Sequence, residues 1–176
     1  MKKILIVLFC MHSYLSFAAK TEDMYLMRNT EKGDLFFIFE NSFHSIDNKH
    51  PLLFDITHLT SCDTISVKMT ITDKELVDVD SVKLSWSNTA YIVTNPILIY
   101  KEKDNKCWVN RCDCVFPYKF VEQAFTNKQR PIFTIYTTSN TISYSLSPNK
   151  WNKLSLHFQE IFITIQSHKR LIQKRK

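Results

Sequence analysis

Gly33 is the only glycine in this chain of 176 residues, where average usage would give about 12. Glycine lets the backbone adopt positive φ and approach a phosphate closely. A Walker loop, a dinucleotide-binding fingerprint and a Gly-x-Ser-x-Gly nucleophile elbow each need at least two glycines. The sequence therefore excludes these nucleotide-binding and hydrolase motifs, and its turns must be formed by other residues.

Asparagine and aspartate tolerate positive φ better than other non-glycine residues, so they are the best candidates for these turns. They stand between apolar segments at Asn88, Asn95-Pro96, Asp104-Asn105 and Asn140. This punctuation predicts many short elements joined by tight polar turns.

Between the turns, apolar and polar residues alternate, which indicates strands with one buried face. The clearest run covers 65–71, where Ile, Val and Met occupy the odd positions. A phase slip at Asp80-Ser81 predicts a bulge or a tight turn. The segments 132–136 and 142–146 flank a predicted hairpin turn.

Four further segments complete the predicted organisation. Alternation at 154–158 and at 161–165 is interpreted as two more strands. The continuous apolar run 35–39 fits a strand buried on both faces. Residues 119–127 favour two helical turns. The pattern as a whole predicts an all-β fold, a single antiparallel β-sandwich, with a barrel as the second choice.

The first eighteen residues have the layout of a secretory signal peptide. Lys2 and Lys3 precede an apolar run over 4–9, and Ser16-Phe17-Ala18 is a small-x-small cleavage site. We therefore predict a leader over 1–18, a β-rich domain over 19–166 and a basic tail over 167–176. Export would be to the periplasm or the extracellular medium, with no transmembrane segment after the leader.

The positive charge of the chain is concentrated at its ends. Lysine and arginine number 23 against 17 acidic residues, but five of the basic residues lie in the last eight positions: Lys169, Arg170, Lys174, Arg175 and Lys176. Without these and the two leader lysines, the remainder is close to neutral. A nucleic-acid-binding domain needs basic residues on a folded face, so we predict no nucleic-acid partner.

Export to an oxidising compartment predicts disulfides among Cys62, Cys107, Cys112 and Cys114. We discount the Cys112–Cys114 pairing, expecting an extended segment to direct these side chains to opposite faces or to join them only with strain. In both remaining pairings Cys62 is bridged to Cys112 or Cys114, and Cys107 closes a local loop with the other. The rival interpretation is a metal site of these cysteines with His50 or His58, but zinc sites favour different spacings, and we predict no metal or cofactor.

Tyrosines in the predicted strands are candidates for a contact surface, because exposed aromatic side chains on a sheet bind proteins or carbohydrates. The candidates are Tyr91, Tyr100, Tyr136 and Tyr144. The alternative is that tyrosine simply favours strands.

Two further groups of residues are compared with a calcium site and with a hydrolytic site. The acidic residues Asp73, Glu75, Asp78 and Asp80 lack the glycine of a helix–loop–helix calcium site and resemble a solvated strand face. Asp55, His58 and Ser61 could in principle form a hydrolytic triad, which is defined by geometry rather than by chain order.

These observations favour an exported binding module for a protein or glycan, without catalytic activity. Two alternatives remain open at this stage: a periplasmic inhibitor or immunity-type protein, and a small secreted hydrolase with a dispersed site. A further possibility is a subunit of a surface assembly that pairs through its edge strands.

Overall fold

The computed structural model describes residues 21, 23–45, 50–76 and 78–173. The predicted leader over 1–18 lies outside these residues. The described part is mostly antiparallel strand, with a short helix, α1 (Tyr118–Thr126), and a long one, α2 (Pro148–Gln173). The strands are β1 (Tyr25–Thr30), β2 (Gly33–Phe43), β3 (Leu52–Leu59), β4 (Thr64–Asp73), β5 (Val79–Trp86), β6 (Thr89–Thr94), β7 (Ile97–Asp104), β8 (Cys107–Pro117), β9 (Ile132–Thr137) and β10 (Thr141–Tyr144).

The strands form two sheets, and every pairing within them is antiparallel. Sheet I has the order β1-β2-β3-β4-β8-β7, and sheet II has the order β10-β9-β5-β6. Neither sheet closes on itself. The predicted all-β sandwich is therefore confirmed, while the second choice, a barrel, is not found.

Local details of the strand prediction are also confirmed. In β4 the odd positions from Ile65 to Ile71 are buried. The pairing of β5 with β9 shifts register between Val79 and Ser81, as the phase slip predicts. Strands β9 and β10 form the predicted hairpin. Asn95 and Asn105 adopt positive φ of 51° and 55° at two of the predicted turns.

The strand prediction for 154–165 is wrong, because this segment belongs to helix α2. The residues that α2 buries recur at steps of three and four, which is the helical period rather than the strand period. They are Trp151, Ser155, Phe158, Ile161, Phe162 and Ile165. Leu156 and Ile163, which the strand phase would bury, are exposed. The helix continues through Gln173, so residues 167–173 of the predicted basic tail are helical.

Helix α1 coincides with the helical turns predicted at 119–127. The run 35–39 is a strand, but it is not buried on both faces. Phe36 and Ile38 face the core, while Phe39 is exposed. The hydrophobic run correctly indicates a strand but not its environment, because sheet I is packed on one face only, as the alternating burial along β2 and β3 shows.

The core between the layers is rich in aromatic side chains. Phe43 and Phe54 of sheet I contact Phe133 of sheet II at ring-centroid distances of 5.6 and 5.5 Å. Phe125 of α1 lies between Phe54 and Phe158 of α2, at 5.8 and 4.6 Å. Helices and sheet II therefore share the task of covering the inner face of sheet I.

Across the described part of the chain, no helix is both long enough and apolar enough to cross a membrane.

Candidate functional site

The two edge strands β6 and β7 form one open side of the sandwich. Strand β6 is the last strand of sheet II, β7 is the last strand of sheet I, and the two are joined directly through Asn95-Pro96. Asn95 adopts positive φ, and its N–H donates to the carbonyl oxygen of Asp80 at 2.9 Å, which fixes the turn. Among the described strands, each of the two is hydrogen-bonded to a neighbour on one side only, so each presents unpaired backbone groups on its other side.

Large apolar side chains are exposed along both strands. We call them the β6–β7 edge surface: Tyr91, Ile92, Ile97, Leu98, Ile99 and Tyr100. Ile97 is 64% exposed and Leu98 is 56% exposed. Scattered apolar residues are ordinary on a protein surface, but consecutive ones in an edge strand favour a contact site.

The position of Leu98 shows where the covering of sheet I stops. Leu98 is the register partner of Cys112 in β8, so the two side chains point to the same face of the sheet. Cys112 is only 2% exposed, because sheet II covers β8: Tyr91 of β6 contacts Phe116 of β8 at 5.9 Å. Sheet II ends at β6 and leaves Leu98 uncovered, one strand farther out.

The second half of β7 is charged, with lysine and acidic residues alternating from Lys101 to Asp104. Lys101 forms an ion pair with Asp78, and the ammonium of Lys103 lies 5.9 Å from the ring centroid of Trp108. A register shift between Leu98 and Tyr100 interrupts the pairing of β7 with β8. Charges and bulges on an edge strand oppose unspecific pairing. Strand β7 therefore combines an apolar half, which contains the register shift, with a charged half that resists such pairing.

The predicted contact tyrosines do not share one surface. Tyr91 and Tyr100 are each 39% exposed and belong to the β6–β7 edge surface. Tyr136 is half-buried in β9, and Tyr144 is 1% exposed, because it faces the core from β10. Tyr144 therefore has no surface to offer a partner, and the alternation that places a tyrosine in a strand does not say which face is covered.

The four predicted bridge residues Cys62, Cys107, Cys112 and Cys114 are free thiols in the structure. Cys62 lies in the turn before β4, and β4 pairs with β8 so that Val67 opposes Cys114. Cys114 is therefore roughly 15 Å along the sheet from Cys62, and Cys107 is farther still. A disulfide needs Cα atoms within about 7 Å, so the predicted pairings with Cys62 do not fit this sheet.

The expectation that Cys112 and Cys114 point to opposite faces is also wrong. Side chains two residues apart in a strand share a face, and here both are buried and their thiols share a hydrogen bond. That hydrogen bond and burial raise the pKa of Cys114, so its thiol stays protonated. The pair therefore acts as a small apolar element of the core.

The rival metal and hydrolase sites do not assemble. Cys107 Sγ lies 3.7 Å from His50 Nε2, but within the described ranges no three metal-ligating residues come together. Asp55 forms an ion pair with Arg111, and alternation along β3 puts Asp55 and His58 on opposite faces of sheet I. The Asp55–His58–Ser61 triad is therefore not formed.

A second polar region, which sequence reasoning missed, surrounds Tyr118 at the start of α1. The ring of His58 stacks on that of Tyr118 at 4.4 Å, and the Tyr118 hydroxyl donates to Glu122 at 3.0 Å. Nδ1 of His58 donates to the carbonyl oxygen of Thr64 at 3.0 Å. Nε2 of His58 is buried and has no hydrogen-bond partner among the described residues.

Burial sets the protonation of this region. It lowers the pKa of His58 to about 4, so the imidazole is neutral near pH 7. Burial also raises the pKa of Tyr118 and lowers that of Lys169. Burial opposes ionisation of Glu122, but hydrogen bonds from Gln166, Lys119 and Tyr118 outweigh it and lower the pKa of this carboxyl. The sequence signal for this region was Glu122, a charged residue at a position of α1 that the helical period buries.

Comparison with protein-family models, curated proteins and solved structures gave no match to this chain.

Proposed function

We propose that this chain is an exported binding module whose partner is a protein that docks on the β6–β7 edge surface. One observation carries the proposal: the apolar run 97–100 lies on the outermost strand of sheet I, where neither sheet II nor a helix covers Leu98. Cys112 is buried, whereas its register partner Leu98, on the same face of sheet I, is exposed. The apolar face of sheet I therefore extends beyond the part that sheet II covers.

The chemistry of the surface favours a protein over a glycan. The most exposed residues, Ile97 and Leu98, are aliphatic, whereas glycans are held by aromatic platforms and hydrogen-bonding side chains. Strand β7 also offers a row of backbone N–H and C=O groups on its free side. An extended segment of a partner would pair with these groups as an added strand and place its own apolar side chains against Ile97 and Leu98.

The charged half of β7 would set the register of such a segment. Lys101, Glu102, Lys103 and Asp104 alternate in sign, so a partner strand with the complementary alternation gains cross-strand ion pairs in one register and repulsion in the next. The partner we expect is therefore a protein whose extended segment is apolar at one end and carries mixed charge at the other.

Export is part of the proposal and depends on residues 1–18. The two lysines, the apolar run and the small residues before Ala19 support it. Sequencing the N-terminus of the protein recovered from the source cells tests it directly. A mature chain that begins at Ala19 is expected, and an intact Met1 would contradict export without bearing on the docking surface.

Docking is tested by capture with matched double variants of the chain from Ala19 onward. Ile97→Lys with Leu98→Lys changes the surface, and Ile163→Lys with Leu26→Lys is the control. The control residues have the same types and the same exposures, 64% and 56%, on other elements. We expect wild type and control to retain one protein from the periplasmic or medium fraction, and the surface variant to lose it by at least about tenfold, since two buried apolar contacts are replaced by charge.

Three outcomes would count against the proposal. Equal retention by both variants would place the contact elsewhere. Loss in the control alone would move it to α2 or β1. Retention of a second copy of this chain, seen as a dimer in size-exclusion chromatography, would replace a different protein with self-association as the use of this surface.

A further inference from the structure

A pocket of about 490 Å³ lies at the far end of sheet I from the turn between β7 and β8, where three segments meet. Asp63, from the turn between β3 and β4, forms one wall. Pro117 and Tyr118, at the junction of β8 and α1, form the floor. Lys169 and Arg170, on the last turns of α2, form the opposite wall. This volume suits a small molecule rather than a polymer.

The floor of the pocket is rigid. The side chain of Tyr118 is held by His58 on one side and by Glu122 at its hydroxyl, and its backbone N–H donates to the carbonyl oxygen of Asp63 at 2.8 Å. The register of β4 with β8 adds a further constraint, because Thr64 opposes Pro117. A ligand would meet a preorganised surface, which lowers the entropic cost of binding.

The walls of the pocket carry surplus positive charge. Lys119, Lys169 and Arg170 line it, against the single carboxylate of Asp63. The nearby carboxylate of Glu122 is already engaged, since it accepts from Lys119 at 3.0 Å and also from Tyr118 and Gln166. Lys119 and Glu122 therefore neutralise each other, and the surplus positive charge comes from Lys169 and Arg170.

Lys169 forms no ion pair among the described residues, and Asp63 and Glu122 act on its charge only at longer range. Its ammonium lies 4.1 Å from the ring centroid of Tyr118 and donates to the neutral carbonyl oxygen of Cys62 at 3.1 Å. Among the described residues neither Lys169 nor Arg170 lies within ion-pair distance of a carboxylate. Partial burial of a cation is costly, and an anion beside it would offset that cost.

The start of α1 adds weaker support. Pro117 caps this helix without a side-chain hydrogen bond, and the first turn contains no acidic residue. The free backbone N–H groups of a first turn favour a negative charge nearby.

We propose that this pocket binds a small organic phosphate. Its phosphoryl group would lie between Lys169 and Arg170, and its organic part would lie against Pro117, since the ring of Tyr118 is 2% exposed and is already contacted by His58 and Lys169. A phosphoryl group offers three acceptor oxygens and up to two negative charges, which matches the two unpaired cations Lys169 and Arg170 better than one carboxylate does. The near-neutral remainder of the domain gives a nucleic acid no extended basic surface.

Titration calorimetry with phenyl phosphate tests the proposal on the chain from Ala19 onward. Inorganic phosphate and phenol are the part-ligand probes, and each is expected to bind more weakly than phenyl phosphate. Arg170→Ala should weaken phenyl phosphate by about tenfold or more, as expected for a lost charge-assisted hydrogen bond. Arg28→Ala, an exposed arginine on β1, is the control for net charge and should change the affinity by less than about twofold.

The proposal fails if wild type shows no saturable binding of phenyl phosphate, or if the two arginine variants lose equal affinity, which would indicate general electrostatic attraction. If phenyl phosphate and inorganic phosphate bind with equal affinity, the pocket does not recognise the organic part of the ligand, and the proposal of an organic phosphate is wrong. If Arg170→Ala unfolds, Lys119→Gln at the exposed rim replaces it with the same expected direction. The edge-surface double variant should bind phenyl phosphate like wild type, so failure here is separable from failure of docking.

Discussion

The Tyr118 region and strand β7 of the β6–β7 edge surface both adjoin β8 of sheet I, but they differ in what covers them. Around Tyr118, both helices pack on sheet I, so polar and titratable groups are buried and engaged in a network. At β7 none of the described elements covers the sheet, so apolar groups are exposed. The comparison shows that sheet II and the helices together leave part of sheet I uncovered. The covered end of β8 therefore leads into a pocket, and the neighbouring strand β7 presents an exposed edge.

Replacing one side chain in each region should give the largest difference in the free energy of unfolding. Phe158→Ala removes a fully buried ring that packs 4.6 Å from Phe125, and we expect a loss of about 3–5 kcal/mol in the free energy of unfolding. Ile97→Ala should change it by less than about 0.5 kcal/mol, because Ile97 is exposed. Urea denaturation measures both. A cost at Ile97 comparable to that at Phe158 would mean that β7 is covered after all.

Acid should weaken the Tyr118 region selectively. His58 stays neutral in the folded protein down to about pH 4, whereas in the unfolded chain it gains a proton below about pH 6.5. The neutral His58 therefore costs no stability above pH 6.5, and as the pH falls towards 4 the free energy of unfolding decreases by about 3 kcal/mol. The nearby charges of Lys169, Asp63 and Glu122 modulate this value.

Denaturation of wild type and His58→Gln at several pH values between 4 and 7.5 checks this dependence. The variant should lose most of the slope in that window, while His44→Gln, at an exposed histidine, should keep it. Parallel slopes in wild type and His58→Gln would show that His58 is not the group that titrates.

Thiol labelling sharpens the boundary between covered and uncovered strands. After reduction, iodoacetamide should modify the half-buried Cys62 and Cys107 in the folded protein, but Cys112 and Cys114 only after unfolding. Mass spectrometry of peptides measures the rates. Native labelling of Cys112 at the rate of Cys62 would place the boundary between β4 and β8, one strand inward from Leu98.

The strands and turns could be predicted from local signals. Alternation in β4, the register shift before Ser81 and positive φ at Asn95 each depend on neighbours in sequence. Helix α2 was missed because leucine and isoleucine also fall on alternate positions there. The spacing of Trp151, Phe158 and Ile165, with no glycine or proline after Pro148, was the better signal.

The candidate sites were harder to predict, because tertiary packing decides which side chains of a strand are covered by another element. Nothing local to Leu98 says that sheet II ends one strand short of it. The Tyr118 pocket joins segments more than 100 residues apart, since Lys169 contacts Cys62. The cysteine pairings failed for a related reason: strand register, which sequence spacing does not reveal, separates Cys62 from the cysteines of β8.

Hydrogen exchange with mass spectrometry on the chain from Ala19 onward, alone and with the protein retained by wild type, tests the docking surface most directly. In the free chain, β7 (97–104) should exchange faster than the central strand β4 (64–73). The complex should slow exchange in β7 and leave β1 unchanged, since β1 is the opposite edge of the same sheet. Slowing confined to β1 or to α2, with β7 unaffected, would contradict docking on the β6–β7 edge surface.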